Sequence, residues 1–329
     1  MNTHNRMGTA ALFAATILAG APAVRGADVG ADYPGDASLM VKVTGGSETS
    51  NGYGAVSYDY RIGKYEVTNA QYAKFLNTIG VTTSNNSLGL YNPSQSSFGL
   101  TWNGSVFVGD NRPVVYVSFY DAARFVNWLT NGGTATSATE TGVYTLGDGT
   151  GITRNADAWN AGGFAIASEN EWYRAAYYDP TMNKGEGGFW NYATRSNDCS
   201  GDPEASNGQN YGGSGNGDQT LAVGSFSHAP SYFGTYDQGG NVWEWTETIV
   251  GTGANRVLRG GSCYGSIANL SAASGRDDTL AATYEGSSRG FRIVSLMAVP
   301  EPEAYAGAAG LATLVVCAWL RRGRRVCSR

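Results

Sequence analysis

Three helix starts are written into this chain by local chemistry, and each is followed by too little periodic sequence to build a long helix. Thr68-Asn69-Ala70-Gln71 is a capping box, with Thr68 at the N-cap and Gln71 reaching back to its backbone. Tyr72, Phe75, Leu76 and Ile79 then form one apolar stripe at i, i+3, i+4 and i+7. Ser118 opens a second helix with Asp121 three residues on, and Ala122, Phe125, Val126 and Leu129 repeat the stripe. Ser168-Glu169-Asn170-Glu171 is a third box, followed by Trp172, Ala175 and Ala176. Asp179-Pro180 ends that helix, because proline disfavours a helical residue before it. Short helices of this kind must be held by what lies between them.

Between them the chain is loop-like. Tyr60 to Val67 alternates as a strand does, and Pro113–Val117 and Phe164–Ala167 read as short buried connectors. Residues 81–110 and 131–160 read as insertions rich in Thr, Ser, Gly and Asn. From 191 to 241 the chain is mostly Gly, Asn, Ser and Asp, a composition that suggests disorder by itself. Trp190, Tyr192, Tyr211, Phe226, Tyr232, Phe233 and Tyr236 punctuate it, however, so ordered loops anchored by rings are expected. The chain holds 47 glycines and 20 tyrosines with only 15% charged residues, which fits aromatic packing of loops better than long helices. No linker separates two cores. Residues 50–296 therefore read as one domain, with 28–49 as a lead-in or first strand.

The ends read as targeting signals. Arg6, an apolar run from Ala10 to Ala23 and small residues at Gly26 and Ala27 make a secretory signal peptide over 1–27. At the other end, Val299-Pro300-Glu301-Pro302 precedes an uncharged stretch, 304–320, long enough to span a bilayer. Arg321, Arg322, Arg324 and Arg325 follow and would stay cytoplasmic. This order over 297–329 resembles the PEP-CTERM sorting signal of exopolysaccharide-producing Gram-negative bacteria. It implies an exosortase as partner, passage through the inner membrane, and a final place in the cell envelope, at the surface or in the extracellular matrix. A plain C-terminal anchor is the alternative.

Charge and residue types exclude several functions. Residues 28–300 carry 15 basic and 25 acidic side chains, and so acidic a surface repels phosphate backbones. It suits divalent cations, or serves solubility alone. The two histidines are His4 and His228, which leaves no His-built zinc site and no Ser-His-Asp triad except one through His228. The run from Gly212 to Gly217 has no Lys after it and follows no clear strand, so it is not a phosphate cradle. Outside the C-terminal segment the sulfurs are Cys199 and Cys263, which could pair as one disulfide in an oxidising compartment.

Six blocks, in order, resemble the formylglycine-generating-enzyme, or sulfatase-modifying-factor, family. They are Ile62 to Asn69, Arg112 to Ala122, Ala167 to Trp172, the Gly239-Gly240-Asn241-Val242-Trp243-Glu244-Trp245 motif, Arg259-Gly260-Gly261-Ser262, and Gly290-Phe291-Arg292. The resemblance implies an α+β fold: a single loop-rich domain, a variant of the C-type-lectin architecture with little regular secondary structure. It also implies sites. Calcium would be held by the side chains of Asp237 and Glu244 and the carbonyls of Gly240 and Val242. Carbonyl and carboxylate oxygens suit that ion, although a tight turn with core tryptophans is the plainer reading of the same motif. A second calcium would use Asn210, the carbonyl of Tyr211 and Asp218, where the spacing departs from the family's.

Active members of the family carry two cysteines after the Arg-Gly-Gly-Ser block, and these bind copper as thiolates and oxidise a substrate cysteine with oxygen. Here those positions are Gly265 and Leu270, so copper is not expected, and the nearest catalytic candidates are Ser262 and Cys263. The expectation is a calcium-stabilised, non-catalytic module that binds a polysaccharide or a protein. Aromatic loop residues such as Trp102, Trp190, Tyr211 and Tyr232 could stack on sugars, although most of the aromatic residues are expected to be core. The alternatives are the family's oxidase activity on a sulfatase cysteine, or another enzyme on the same scaffold.

Overall fold

The computed structural model describes residues 37–147, 151–251, 253–270, 272 and 274–296. The expected signal peptide over 1–27, the first part of the expected 28–49 lead-in and the expected 297–329 sorting signal with its 304–320 span lie outside the described residues. No described helix is long and apolar enough to cross a membrane.

The three capping boxes open the three main helices. These are α1 (Asn69–Thr78), α2 (Phe119–Thr130) and, after the short α3 (Ala156–Asn160), α4 (Glu169–Tyr177). In each, the N-cap hydroxyl accepts from the N3 amide, and the N3 side chain accepts from the N-cap amide. The stripes face inward: Tyr72, Phe75 and Leu76 from α1, Phe125, Val126 and Leu129 from α2, and Trp172 from α4 are all buried. Phe75 meets Phe125 edge-on at 5.4 Å and Trp128 at 5.1 Å, and Phe125 meets Phe291 at 5.5 Å. Ring pairs at such distances add directional attraction to apolar burial.

The described strands make two four-stranded open sheets and two short antiparallel pairs, β3 (Leu100–Trp102) with β4 (Phe107–Gly109) and β6 (Tyr178–Asp179) with β7 (Gly188–Phe189). The first four-stranded sheet has the order β1 (Met40–Val43), β2 (Tyr60–Gly63), β12 (Ile293–Ser295), β5 (Phe164–Ile166), with antiparallel neighbours throughout. The second has the order β10 (Arg276–Asp277), β9 (Asn255–Arg259), β8 (Trp243–Val250), β11 (Arg289–Phe291), in which β11 runs parallel to β8. One residue, Arg292, separates β11 in the second sheet from β12 in the first.

Two expectations change in detail. The strand that starts at Tyr60 ends at Gly63, because beyond it the backbone turns to other partners: Lys64 N donates to Leu39 O and Val67 N to Phe291 O. The 81–110 and 131–160 insertions are not loose. The first forms the hairpin β3 (Leu100–Trp102) and β4 (Phe107–Gly109), where Asn77 of α1 bonds both the amide and the carbonyl of Phe107. The second sends Val143, Tyr144 and Trp159 into the core. The lead-in contributes β1, and the 191–241 stretch is built of turns in which Phe226 is buried, Tyr192, Tyr211, Phe233 and Tyr236 are half-buried and Tyr232 is exposed.

Asp121 offers a test of one cap. Its Oδ2 accepts from Ser118 N at 2.8 Å and from Ser118 Oγ at 2.6 Å. Burial still pushes its carboxyl up to about 6, against about 3.9 in an unfolded chain. Between those values the folded chain holds a proton that the unfolded chain has lost, so this group makes stability fall as pH rises. Thermal melts of Asp121→Asn from pH 4 to 6 should therefore show a shallower decline than the parent, and an unchanged slope would contradict the cause given.

Candidate functional site

The Gly-Gly-Asn-Val-Trp-Glu-Trp motif leads into β8 through a backbone that few residues tolerate. Gly240 has φ +88°, and a Cβ on it would lie 2.0 Å from the carbonyl oxygen of Asn210. Asp237 and Asn241 also have positive φ, at 61° and 57°. Asn is one of the few side-chain-bearing residues that enters this region readily.

Asn241 uses the conformation to join three segments. Its Oδ1 accepts from Leu221 N at 3.0 Å and from Asn210 Nδ2 at 3.3 Å. Its Nδ2 donates to Glu66 Oε1 at 3.2 Å and to Leu221 O at 3.3 Å. Its carbonyl takes the amide of Cys263 at 3.0 Å. Only the placement of an Asn after paired glycines could have marked this role in the sequence.

Glu244, expected as a calcium ligand, is wholly buried and already paired. Its Oε2 accepts from Arg292 Nε at 2.7 Å and from Trp172 Nε1 at 2.7 Å, while its Oε1 accepts from Arg292 Nη2 at 2.8 Å. The same guanidinium donates to the carbonyls of Gly63 at 2.8 Å and Tyr236 at 2.9 Å. Asp237 accepts from Gly224 N at 2.6 Å. Burial pushes its carboxyl up to about 6, offset in part by that amide and by Arg292. Glu66 is 2% exposed, its Oε2 has no hydrogen-bond partner, and burial plus the charges of Asp237 and Glu244 push its carboxyl well up. Three carboxyls thus surround one guanidinium.

At the second expected site, Asn210 donates to Gln219 O at 2.9 Å, and its Oδ1 is buried without a partner. Thr220 Oγ1 nearby in sequence is also buried and unpartnered. Asp218 has φ +47° and accepts from Gly213 N at 3.1 Å. Tyr211 is half-buried. Among the described residues no three His, Cys, Asp or Glu side chains converge as a metal-holding group, so any ion would depend on backbone and amide oxygens.

The thiol region is closed. Cys199 and Cys263 are both free thiols. Burial pushes Cys263 up to about 12 and Cys199 up to about 11, where a hydrogen bond from Gln209 Nε2 at 3.1 Å offsets it slightly. Thiols so perturbed stay protonated at neutral pH and make poor ligands and nucleophiles. Ser262 is 2% exposed and Cys263 fully buried. Leu270 is buried as well, and a Cβ on Gly261 would lie 2.9 Å from its Cδ2, so the leucine packs against the Arg-Gly-Gly-Ser turn. Gly265 accepts from Gly212 N at 2.8 Å. His228 is exposed, 3.5 Å from Glu204.

Of the rings named for stacking, Trp102 packs edge-on against Phe107 at 5.0 Å and Trp190 donates to Asp179 at 3.2 Å. Tyr232 is 36% exposed and meets Phe233 edge-on.

A sulfatase-modifying factor enzyme 1-like domain matches residues 28–297. The chain belongs to that family. Among solved structures it is similar to Treponema denticola variable protein 1, with 22% identity, a TM-score of 0.51, and coverage of 78% of this chain and 95% of that one. It is also similar to CarF, at 23% identity, TM-score 0.49 and coverage of 78% and 98%. PvdO from Pseudomonas aeruginosa matches at 17% identity, TM-score 0.47 and coverage of 78% and 91%. No curated protein matches. The Treponema likeness supports the α+β, loop-rich single domain of the family and says nothing of activity.

Removing one partner of a buried ion pair strands the other charge, at a cost of about 3–5 kcal/mol. Glu244→Gln should destabilise the domain by that amount in urea melts. The double variant Glu244→Gln, Arg292→Met should lose much less than the sum of its single changes. Additive losses would show that the pair is not coupled.

Proposed function

We propose that this family member is an exported cell-surface binding module for a polysaccharide or protein, stabilised by calcium and lacking formylglycine-generating oxidase activity. The observation that carries the reading is the loss of the thiol pair: positions 265 and 270 hold Gly and Leu, and the nearby Cys263 is buried and strongly protonated. A two-thiolate copper site has no ligands there. Family membership favours the oxidase as the second reading, and it would need a different set of redox residues from those the family uses.

Support for calcium differs between the two loops. At 210–218, the orphaned Asn210 Oδ1 is an oxygen ready for a cation, and Asp218, eight residues on, is the acid of the same loop. At 237–244, Arg292 occupies both oxygens of Glu244, so an ion would have Asp237 and the carbonyls of Gly240 and Val242 and would face a guanidinium. The surplus of buried carboxyl groups around Arg292 still favours added positive charge there. Export, exosortase sorting and the envelope or extracellular location rest on the terminal sequences and complete the proposal.

A glycan array run with calcium and again after chelation tests the reading. At 100 times its dissociation constant an ion that binds only the folded state adds about 2.7 kcal/mol. For a domain of this size that raises Tm by roughly 5–10 °C. The expected result is glycan binding and a higher Tm with calcium, both lost on chelation. No glycan bound and no change in Tm would contradict it.

A further inference from the structure

Two loops put large rings into solvent side by side. Tyr264 is 47% exposed and Tyr284 41% exposed. Tyr116 lies between them. Burial, and after it the charges of Cys263, Tyr116 and Asp218, push the Tyr264 hydroxyl up, so Tyr116 and Asp218 are its neighbours. On the other side Tyr116 N donates to Gly286 O at 2.9 Å, two residues from Tyr284. The Arg289 guanidinium lies 5.3 Å from the centre of the Tyr284 ring. The loops around 264 and 284–289 are thus two halves of one face.

Tyr116 is held there against its backbone preference. Its φ is +53°, a region that a bulky side chain enters only when its surroundings impose it. The fully buried Gln95 does so: its Nε2 donates to Val115 O at 2.9 Å and to Tyr116 O at 3.4 Å. Phe98 meets the ring edge-on at 5.6 Å. Strain that persists in this way belongs to positions with a role beyond packing.

Small molecules take concave sites, and the cavity of about 560 Å³ beside α1 is lined by none of these residues. Open patches of exposed rings suit a protein partner, at whose interfaces Tyr and Arg are enriched. The charges narrow the choice. Asp218 is exposed at the Tyr264 half, where its Oδ1 accepts from Gly213 N at 3.1 Å. Arg289 is half-buried at the Tyr284 half, where its Nη1 donates to Ser288 Oγ at 2.7 Å. Among the described residues neither forms an ion pair. A two-fold axis through Tyr116 would carry one half onto the other, ring against ring and acid against base, twice over. A foreign partner must bring both charges in the right order, whereas a second copy has them by symmetry. We propose that the protein pairs with a second copy of itself through this face, Tyr264 of each copy meeting Tyr284 of the other and Asp218 meeting Arg289. The rings supply adhesion, and the charges fix orientation. The pairing holds whichever ligand the module takes.

Sedimentation equilibrium of the purified protein in chelator, where no ion competes for Asp218, tests it. The expected result is twice the mass of one chain at micromolar concentration. Tyr264→Ser should weaken the dimer about thirtyfold or more, as loss of a central ring does. Asp218→Arg and Arg289→Asp should each give monomers, because each sets like charges against one another. The double variant should dimerise again. Damage to folding by one change would not be repaired by the other, since the two side chains form no ion pair within one chain. A monomer at every concentration would overturn the proposal. So would a dimer that Tyr264→Ser leaves intact, or a double variant that stays monomeric.

Discussion

The fold turns on a single arginine that belongs to neither sheet. Arg292 lies between β11 and β12, so the chain passes from one sheet to the other through it. Its guanidinium then holds Glu244 of β8, the carbonyl at the end of β2, the carbonyl of Tyr236 and, through the shared carboxylate, the indole of Trp172 in α4. Two sheets, one helix and one loop are fixed by five donors in a plane. Hydrophobic contact alone would not set that geometry, since it is non-directional.

Other buried arginines repeat the device. Arg174 donates to the carbonyls of Thr44, Gly45 and Gly54, and Arg256 to those of Ile152 and Glu247. Arg259 pairs with Glu169, and Arg154 with Glu171 and Glu247. A chain this poor in helix and strand buries many carbonyls that no ladder satisfies, and an unsatisfied one is expensive. The guanidinium groups supply the missing donors. This is how a glycine-rich chain with few charges keeps ordered loops, and why so many of its few charges are inside. The resemblance to the family implies a cysteine pair at positions 265 and 270, where this chain carries Gly and Leu. What remains is a rigid set of loops with a cavity among them.

What could be read from the sequence was what is local. The capping boxes at Thr68, Ser118 and Ser168 work within four residues, so their helices were legible. The family blocks were legible for the same reason, because each is a short run. Arg292 with Glu244, 48 residues apart, was not, because nothing in either segment names its partner. Glu66 sat inside a run that alternated like a strand, and its second role as a lone buried acid depends on Asn241, 175 residues away. The hairpin at 100–109 has a local signal, Asn103-Gly104 between apolar residues with Asn103 Oδ1 accepting from the amides of Ser105 and Val106, and only its place against Asn77 of α1 is set from outside it. The two loops expected to hold calcium could be named, but the guanidinium beside one of them could not.

The central question for this protein is whether its scaffold oxidises thiols. The most direct measurement is mass spectrometry of a sulfatase-motif peptide incubated with the purified protein, copper and oxygen. With no thiolate pair at 265 and 270, the peptide cysteine should come back unchanged and the protein should retain no stoichiometric copper. An aldehyde product formed with copper bound at one equivalent would contradict the account and place the redox chemistry on Cys263.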